Sequence, residues 1–147
     1  MARGVKGILP DPAIPDNRVN RPGWQVLPMA MKIYEVRDIL KADVLYGESH
    51  LDKTIVAGGG ADLMEDVLAA AAKGAVLLTG LTTEQVLRTA KIAGVGCIVF
   101  VRGKRPSERV LAMAQTFDLP TLLTRYSLFV AAGRLYMNGL RGLDGSW

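Results

Sequence analysis

The sequence is poor in the residues that most often carry chemistry. Its 147 residues hold one cysteine and one histidine. A single Cys excludes an internal disulfide and a zinc site built on several thiolates. His50 stands in a polar stretch beside Asp52, with no cysteine near it, and reads as a surface residue. Aromatic residues make up only 6% of the chain. No apolar run approaches the ~20 residues a membrane-spanning helix needs. Charge of one sign is also lacking. The 18 Lys and Arg exceed the 14 Asp and Glu by four, and half of that excess falls ahead of residue 32. The rest is nearly neutral, so no nucleic-acid-binding stripe is expected. With no secretory apolar segment either, a cytoplasmic location is the expectation. What is plentiful is apolar side chain, at 50% of residues, enough for one domain with a real core.

Residues 1–30 differ from the remainder. Pro10, Pro12, Pro15, Pro22 and Pro28 fix the backbone and remove amide donors, so neither helix nor ladder is expected there. The stretch reads as a Pro-rich mobile arm. Two alternatives stand beside that reading: a start of translation at Met29 or Met31, or packing of Trp24, Val26 and Leu27 onto a partner chain. From residue 31 to 140 the pattern is regular. Ile33, Val36, Ile39 and Leu40 recur at helical spacing. Val44–Tyr46 and Thr54–Val56 read as a hairpin around the loop 47–53, closed by Gly58–Gly60. Asp62 is placed to cap a helix running to about Lys73, with Glu65 completing a capping box. Three units of apolar strand and amphipathic helix follow. Their strands are 75–79, 97–101 and 121–123, and the helices are capped by Thr82, Ser107 and Ser127. Continuous apolar strands alternating with such helices predict a three-layer α/β/α fold with a mainly parallel, mixed sheet. Residues 141–147 read as a flexible tail.

In such a sheet, ligands bind beyond the carboxyl ends of the strands. Here those ends carry glycines, hydroxyls and cations, each just ahead of a helix start, where free N–H groups favour an anion. The candidate ligand-binding residues are Thr79, Gly80, Thr82, Arg102, Gly103, Lys104, Arg125 and Ser127. The same residue types also serve simply to turn and cap βα loops, and that reading stays open. Gly58–Gly60 fits neither phosphate-binding pattern: no G-x-x-x-x-G-K-[ST] exists, and Leu63 breaks G-x-G-x-x-G. Turn geometry is the expected reason for the triplet. Cys97 opens a buried strand and reads as a small apolar residue. Asp62, Glu65 and Asp66 suit a helix start through its dipole. No triad, carboxylate pair or metal set is evident, so no catalytic or metal residue is expected.

The segments Lys32–Val36 with Ile39–Ala42, Leu63–Ala69, Leu78–Thr82, Ile98–Lys104 with Pro106, and Tyr126–Phe129 together resemble the DRTGG domain family over about residues 31–140. The resemblance implies a fold like the N-terminal domain of HPr kinase. It further implies a non-catalytic regulatory module of the kind found in phosphotransacetylases and in pyrophosphatases that also carry CBS domains. Leu81 and Thr82 stand where the family's name-giving acidic and basic pair would fall, so no role of that pair carries over; Thr79, Gly80 and Thr82 correspond to a loop of the same shape. The expected function is to bind a nucleotide or other phosphorylated small molecule, to control a partner enzyme, or both. An adenine nucleotide is the candidate ligand, and no cofactor is expected. The alternative is a dimerisation or protein-interaction adaptor without a small ligand, for which Ala69–Ala72, Ala131 and Ala132 would allow close helix approach. A third role is accessory to an HPr-kinase-like serine kinase, without kinase activity, because the P-loop is missing. A homodimer, no nucleic acid and no membrane complete the expectation.

Overall fold

The computed structural model describes residues 30–69 and 72–143. The expectations for residues 1–29, for Ala70 and Ala71, and for the last four residues lie outside them. In chain order the elements are β1 (Met31–Lys32), α1 (Ile33–Leu40), β2 (Asp43–Tyr46), β3 (Thr54–Ile55), β4 (Gly58–Gly60), α2 (Met64–Ala69), β5 (Val76–Thr79), α3 (Glu84–Ala93), β6 (Cys97–Phe100), α4 (Glu108–Thr116), β7 (Thr121–Leu123) and α5 (Leu128–Met137). The main sheet has the order β2-β7-β6-β5-β4. Strands β4 to β7 run parallel, and β2 is antiparallel to β7.

Side-chain alternation along the strands divides the apolar residues between two cores. Val76, Leu78, Cys97, Val99 and Leu122 point to one face, where α1 and α5 cover them. Leu77, Ile98 and Phe100 point to the other, under α2, α3 and α4. Both faces are buried, which is why β5 and β6 read as unbroken apolar runs. The mixed α/β architecture expected from the sequence is therefore present.

Several local expectations are corrected. Val44–Tyr46 and Thr54–Ile55 do not pair with each other. β2 joins β7, while β3 forms a separate two-stranded ribbon with β1. The cause lies in the loop between them. Gly47 takes φ +104°, and a Cβ there would sit 2.9 Å from the Pro120 backbone. Beyond it a 3-10 turn, Glu48–His50, bends the chain away. The carbonyls of Lys53 and Leu51 then accept from the Ile33 and Tyr34 amides, satisfying two of the open donors of α1. Gly58–Gly60 is not a turn but the edge strand β4. Added Cβ atoms would meet Leu140 at 2.8 Å, Leu143 at 2.5 Å and Leu128 at 2.9 Å, so glycine here permits close approach. Residues 140–142 are not loose: Leu140 is buried, Arg141 accepts from the Gly58 amide at 2.8 Å, and Gly142 bridges Gly58. α2 is shorter than expected and begins at Met64, and the residue ahead of α3 is Thr83 rather than Thr82, without a side-chain capping bond. Ser107 and Ser127 cap α4 and α5 as expected.

Candidate functional site

The carboxyl-end rim of the sheet holds two clusters. At the mouth of β5 and β6, the Asp62 carboxylate accepts from the Thr79 hydroxyl at 3.1 Å and the Gly80 amide at 2.8 Å. Asp62 is thus a partner of the neighbouring strand end rather than the cap of α2. Thr79, fully buried, also accepts from the Leu81 amide at 3.2 Å. The Arg102 guanidinium lies over Gly80, where a Cβ would stand 2.7 Å from its nitrogen. The predicted residues Thr79, Gly80 and Arg102 therefore do come together. The Gly80 amide, however, is already engaged by a carboxylate that would repel a second anion.

The other cluster is an open cleft of about 530 Å³ between the end of α1 and the loops after β6 and β7. Predicted residues Gly103 and Arg125 line it, joined by Lys41, Asp43, Arg105 and Tyr126. Leu40 and Leu123 supply apolar wall. Its shape is fixed by Thr124, only 1% exposed. The Thr124 hydroxyl donates to the Leu40 carbonyl at 2.7 Å and accepts from the Tyr126 amide at 3.3 Å. The Thr124 carbonyl accepts from the Gly103 amide at 2.9 Å, and Tyr126 accepts from the Arg102 amide at 2.8 Å. One buried threonine thus ties three loops together. Arg102 and Gly103 both have positive φ, +60° and +66°, closing a tight turn in which the Lys104 amide bonds the Val101 carbonyl at 3.2 Å. Arg134 stacks on Tyr126, 4.3 Å from the ring centre.

The side chains of Lys41, Arg102, Lys104, Arg105 and Arg125 make no ion pair among the described residues. Lys104 is exposed and Thr82 half-exposed, but neither lines this cleft. The Ser127 hydroxyl accepts from the Val130 amide at 3.2 Å as a helix cap. Sequence reasoning missed Lys41, Asp43, Arg105 and Thr124. The run Arg102–Arg105 is a signal for Arg105, and the place of Thr124 at the end of β7 is one for Thr124; nothing local marks Lys41 or Asp43.

At the opposite rim, Asp118 Oδ1 accepts from the Tyr46 hydroxyl and meets His50 Nε2, both at 2.6 Å. Hydrogen bonds from Tyr46 and then His50 hold the Asp118 carboxyl below its usual range, and the same carboxylate raises Tyr46. His50 is thus a partnered residue, its side chain 16% exposed, rather than a free surface one. Burial pushes the Cys97 thiol up to about 12, so it stays protonated and packs as a small apolar group. Among the described residues no three His, Cys, Asp or Glu lie together as a metal set, and no helix is long and apolar enough to cross a membrane.

Fold and rim together define a three-layer α/β domain with a preformed, cation-lined cleft at its carboxyl edge. The DRTGG domain profile matches residues 35–137. The chain belongs to the DRTGG domain family. A similar solved structure comprises the CBS and DRTGG domains of the regulatory region of the Clostridium perfringens pyrophosphatase, complexed with its activator diadenosine tetraphosphate. The likeness has a TM-score of 0.61 at 15% identity over 77% of this chain, and this chain spans 48% of that one. No curated protein sequence matches.

Proposed function

We propose that the chain is a non-catalytic regulatory module that binds a nucleotide or another phosphorylated small molecule on its carboxyl-end rim and thereby controls a partner enzyme. The observation that carries this reading is the set of rim cations that make no ion pair among the described residues, held by loops already locked in place. Unpaired cations around a preformed cleft favour an anion and spare it much of the cost of ordering its site. Membership of the DRTGG family and the activator-bound pyrophosphatase region support the regulatory part. The test is thermal unfolding with and without a panel of nucleotides and phosphorylated metabolites. Ligand at 100 times its dissociation constant adds about 2.7 kcal/mol, roughly 5–10 °C of midpoint for a chain this size. No shift with any compound refutes the ligand reading.

A second reading, an adaptor that pairs with another copy, draws on the outer face of α5. Phe129 is 88% exposed there, with Tyr136 at 40% and the small residues Ala132 and Gly133 between them. An apolar side chain so exposed beside small residues suits a contact with a second copy. Sedimentation of Phe129→Glu beside the parent chain tests it; an unchanged monomer in both rejects it.

A further inference from the structure

We infer that the cleft between the end of α1 and the loops after β6 and β7 is a nucleoside-phosphate site, with Arg105, Arg125 and Lys41 holding the phosphate and Asp43 selecting the nucleoside. The inference rests on the regulatory reading above and fixes where its ligand sits and what the ligand must carry beyond phosphate.

Three observations combine. The first is charge. Lys41, Arg105 and Arg125 line one cleft, all are exposed, and none is paired with a carboxylate among the described residues. Guanidinium groups suit phosphate because their fixed donor fork matches two phosphate oxygens. The β5–β6 mouth lacks this property, because Asp62 already occupies the Gly80 amide. The second is size. A cleft of about 530 Å³ lies within the range of small-molecule sites, about 300–1,000 Å³. Inorganic phosphate would leave most of it to water. The third is mixed chemistry. Asp43 shares the cleft with the three cations, and Leu40 and Leu123 add apolar surface. A carboxylate on an anion site repels bare phosphate and accepts from a hydroxyl or amino group. A ligand with phosphate at one end, donor groups in the middle and an apolar ring satisfies all of these at once, and a nucleotide is such a molecule.

The backbone at Lys41 points the same way. It takes φ +49° at the end of α1, a place where glycine or asparagine is easier. The residue at this turn is a lysine, which puts a cation at the cleft wall.

The test is calorimetric titration of the full chain with ATP, ADP, AMP and inorganic triphosphate at 0.15 M salt. Arg105→Gln/Arg125→Gln should weaken nucleotide binding by about tenfold or more. Arg102→Gln/Lys104→Gln should change it by less than about threefold. Asp43→Asn should weaken nucleotides but not triphosphate. Far-ultraviolet circular dichroism and the unfolding midpoint confirm that each variant is folded. Nucleotide binding that survives loss of Arg105 and Arg125 but not of Arg102 and Lys104 overturns this site while leaving the regulatory reading intact. Triphosphate binding as tightly as ATP, or ATP binding that is unaffected by Asp43→Asn, overturns the nucleoside assignment. Absence of binding by all four probes overturns the inference, and the wider metabolite panel then decides the regulatory reading separately.

Discussion

Replacing Thr124 by valine removes a hydroxyl and keeps the shape of the side chain, so its effect isolates two hydrogen bonds. Thr124 is buried, and its hydroxyl donates to the Leu40 carbonyl at 2.7 Å. That carbonyl is one of those left open at the end of α1, and Leu40 is itself fully buried. Leaving it unpaired costs about 1–3 kcal/mol. The Tyr126 amide, 3.3 Å from the same hydroxyl, is only partly buried and adds about 0.5–1 kcal/mol. A loss of about 3 kcal/mol should lower the unfolding midpoint by roughly 6–12 °C in a chain of this size. Thr124→Ser retains the hydroxyl and loses one methyl, about 1 kcal/mol. Urea and thermal unfolding of both variants measure the difference. Val within about 0.5 kcal/mol of the parent, or Ser as damaging as Val, would refute the assignment of Thr124 as the tie between the cleft walls.

Other outcomes follow from single contacts. Gly47→Ala combines a left-handed backbone at φ +104° with a Cβ 2.9 Å from Pro120, and should cost more than about 2 kcal/mol in urea unfolding. Lys41→Gly relieves about 1–2 kcal/mol of left-handed strain and forfeits about 0.5–1 kcal/mol of chain entropy, so the domain should gain up to about 1.5 kcal/mol while binding anions less well. The Asp118 carboxyl is lowered by Tyr46 and His50, so its contribution is full above its unfolded value of about 4 and fades as pH falls through the folded value. Tyr46 is raised, so its contribution is full below about 10 and is lost as pH rises through its folded value. Asp118→Asn, a residue that tolerates the φ of +52° there, should flatten the stability profile at both ends, as measured by unfolding from pH 3 to 11.

The sequence makes some of this legible and hides the rest for physical reasons. β5, β6 and β7 are visible because strands buried on both faces are mostly apolar, with only Thr79 and Thr121 at their ends polar, and Ser107 and Ser127 because a cap acts within three residues. Asp62 misleads, since a carboxylate ahead of a helical pattern serves equally well as a cap. Its actual partners, Thr79 and Gly80, become available only once β4 and β5 lie side by side. The Gly58–Gly60 triplet misleads likewise. Its reason is the side chains of Leu128, Leu140 and Leu143, more than sixty residues away in the sequence. Of the candidate rim residues, those placed on βα loops are legible because the loops are. Lys41 and Asp43 are not, because neither belongs to a βα loop.

The direction of β2 is what brings those two residues to the rim. As half of a local hairpin, β2 would have its place set by β3. Paired antiparallel with β7 in the register Asp43 to Leu123, its amino end meets the carboxyl end of β7. The end of α1 then lies beside the loops that follow β6 and β7, and Thr124 reaches across 84 residues of sequence to the Leu40 carbonyl. The same strand carries its other end to the opposite rim, where Tyr46 meets Asp118 just before β7 begins. One antiparallel edge strand is therefore fastened at both ends, by a buried threonine at the cleft and by a shared carboxylate at the far rim. A ligand that draws Lys41 toward Arg105 and Arg125 would tighten the α1 end of this strand. α1 in turn packs against α5 in the shared core through Ile33, Val36 and Leu40 with Ala131 and Leu135.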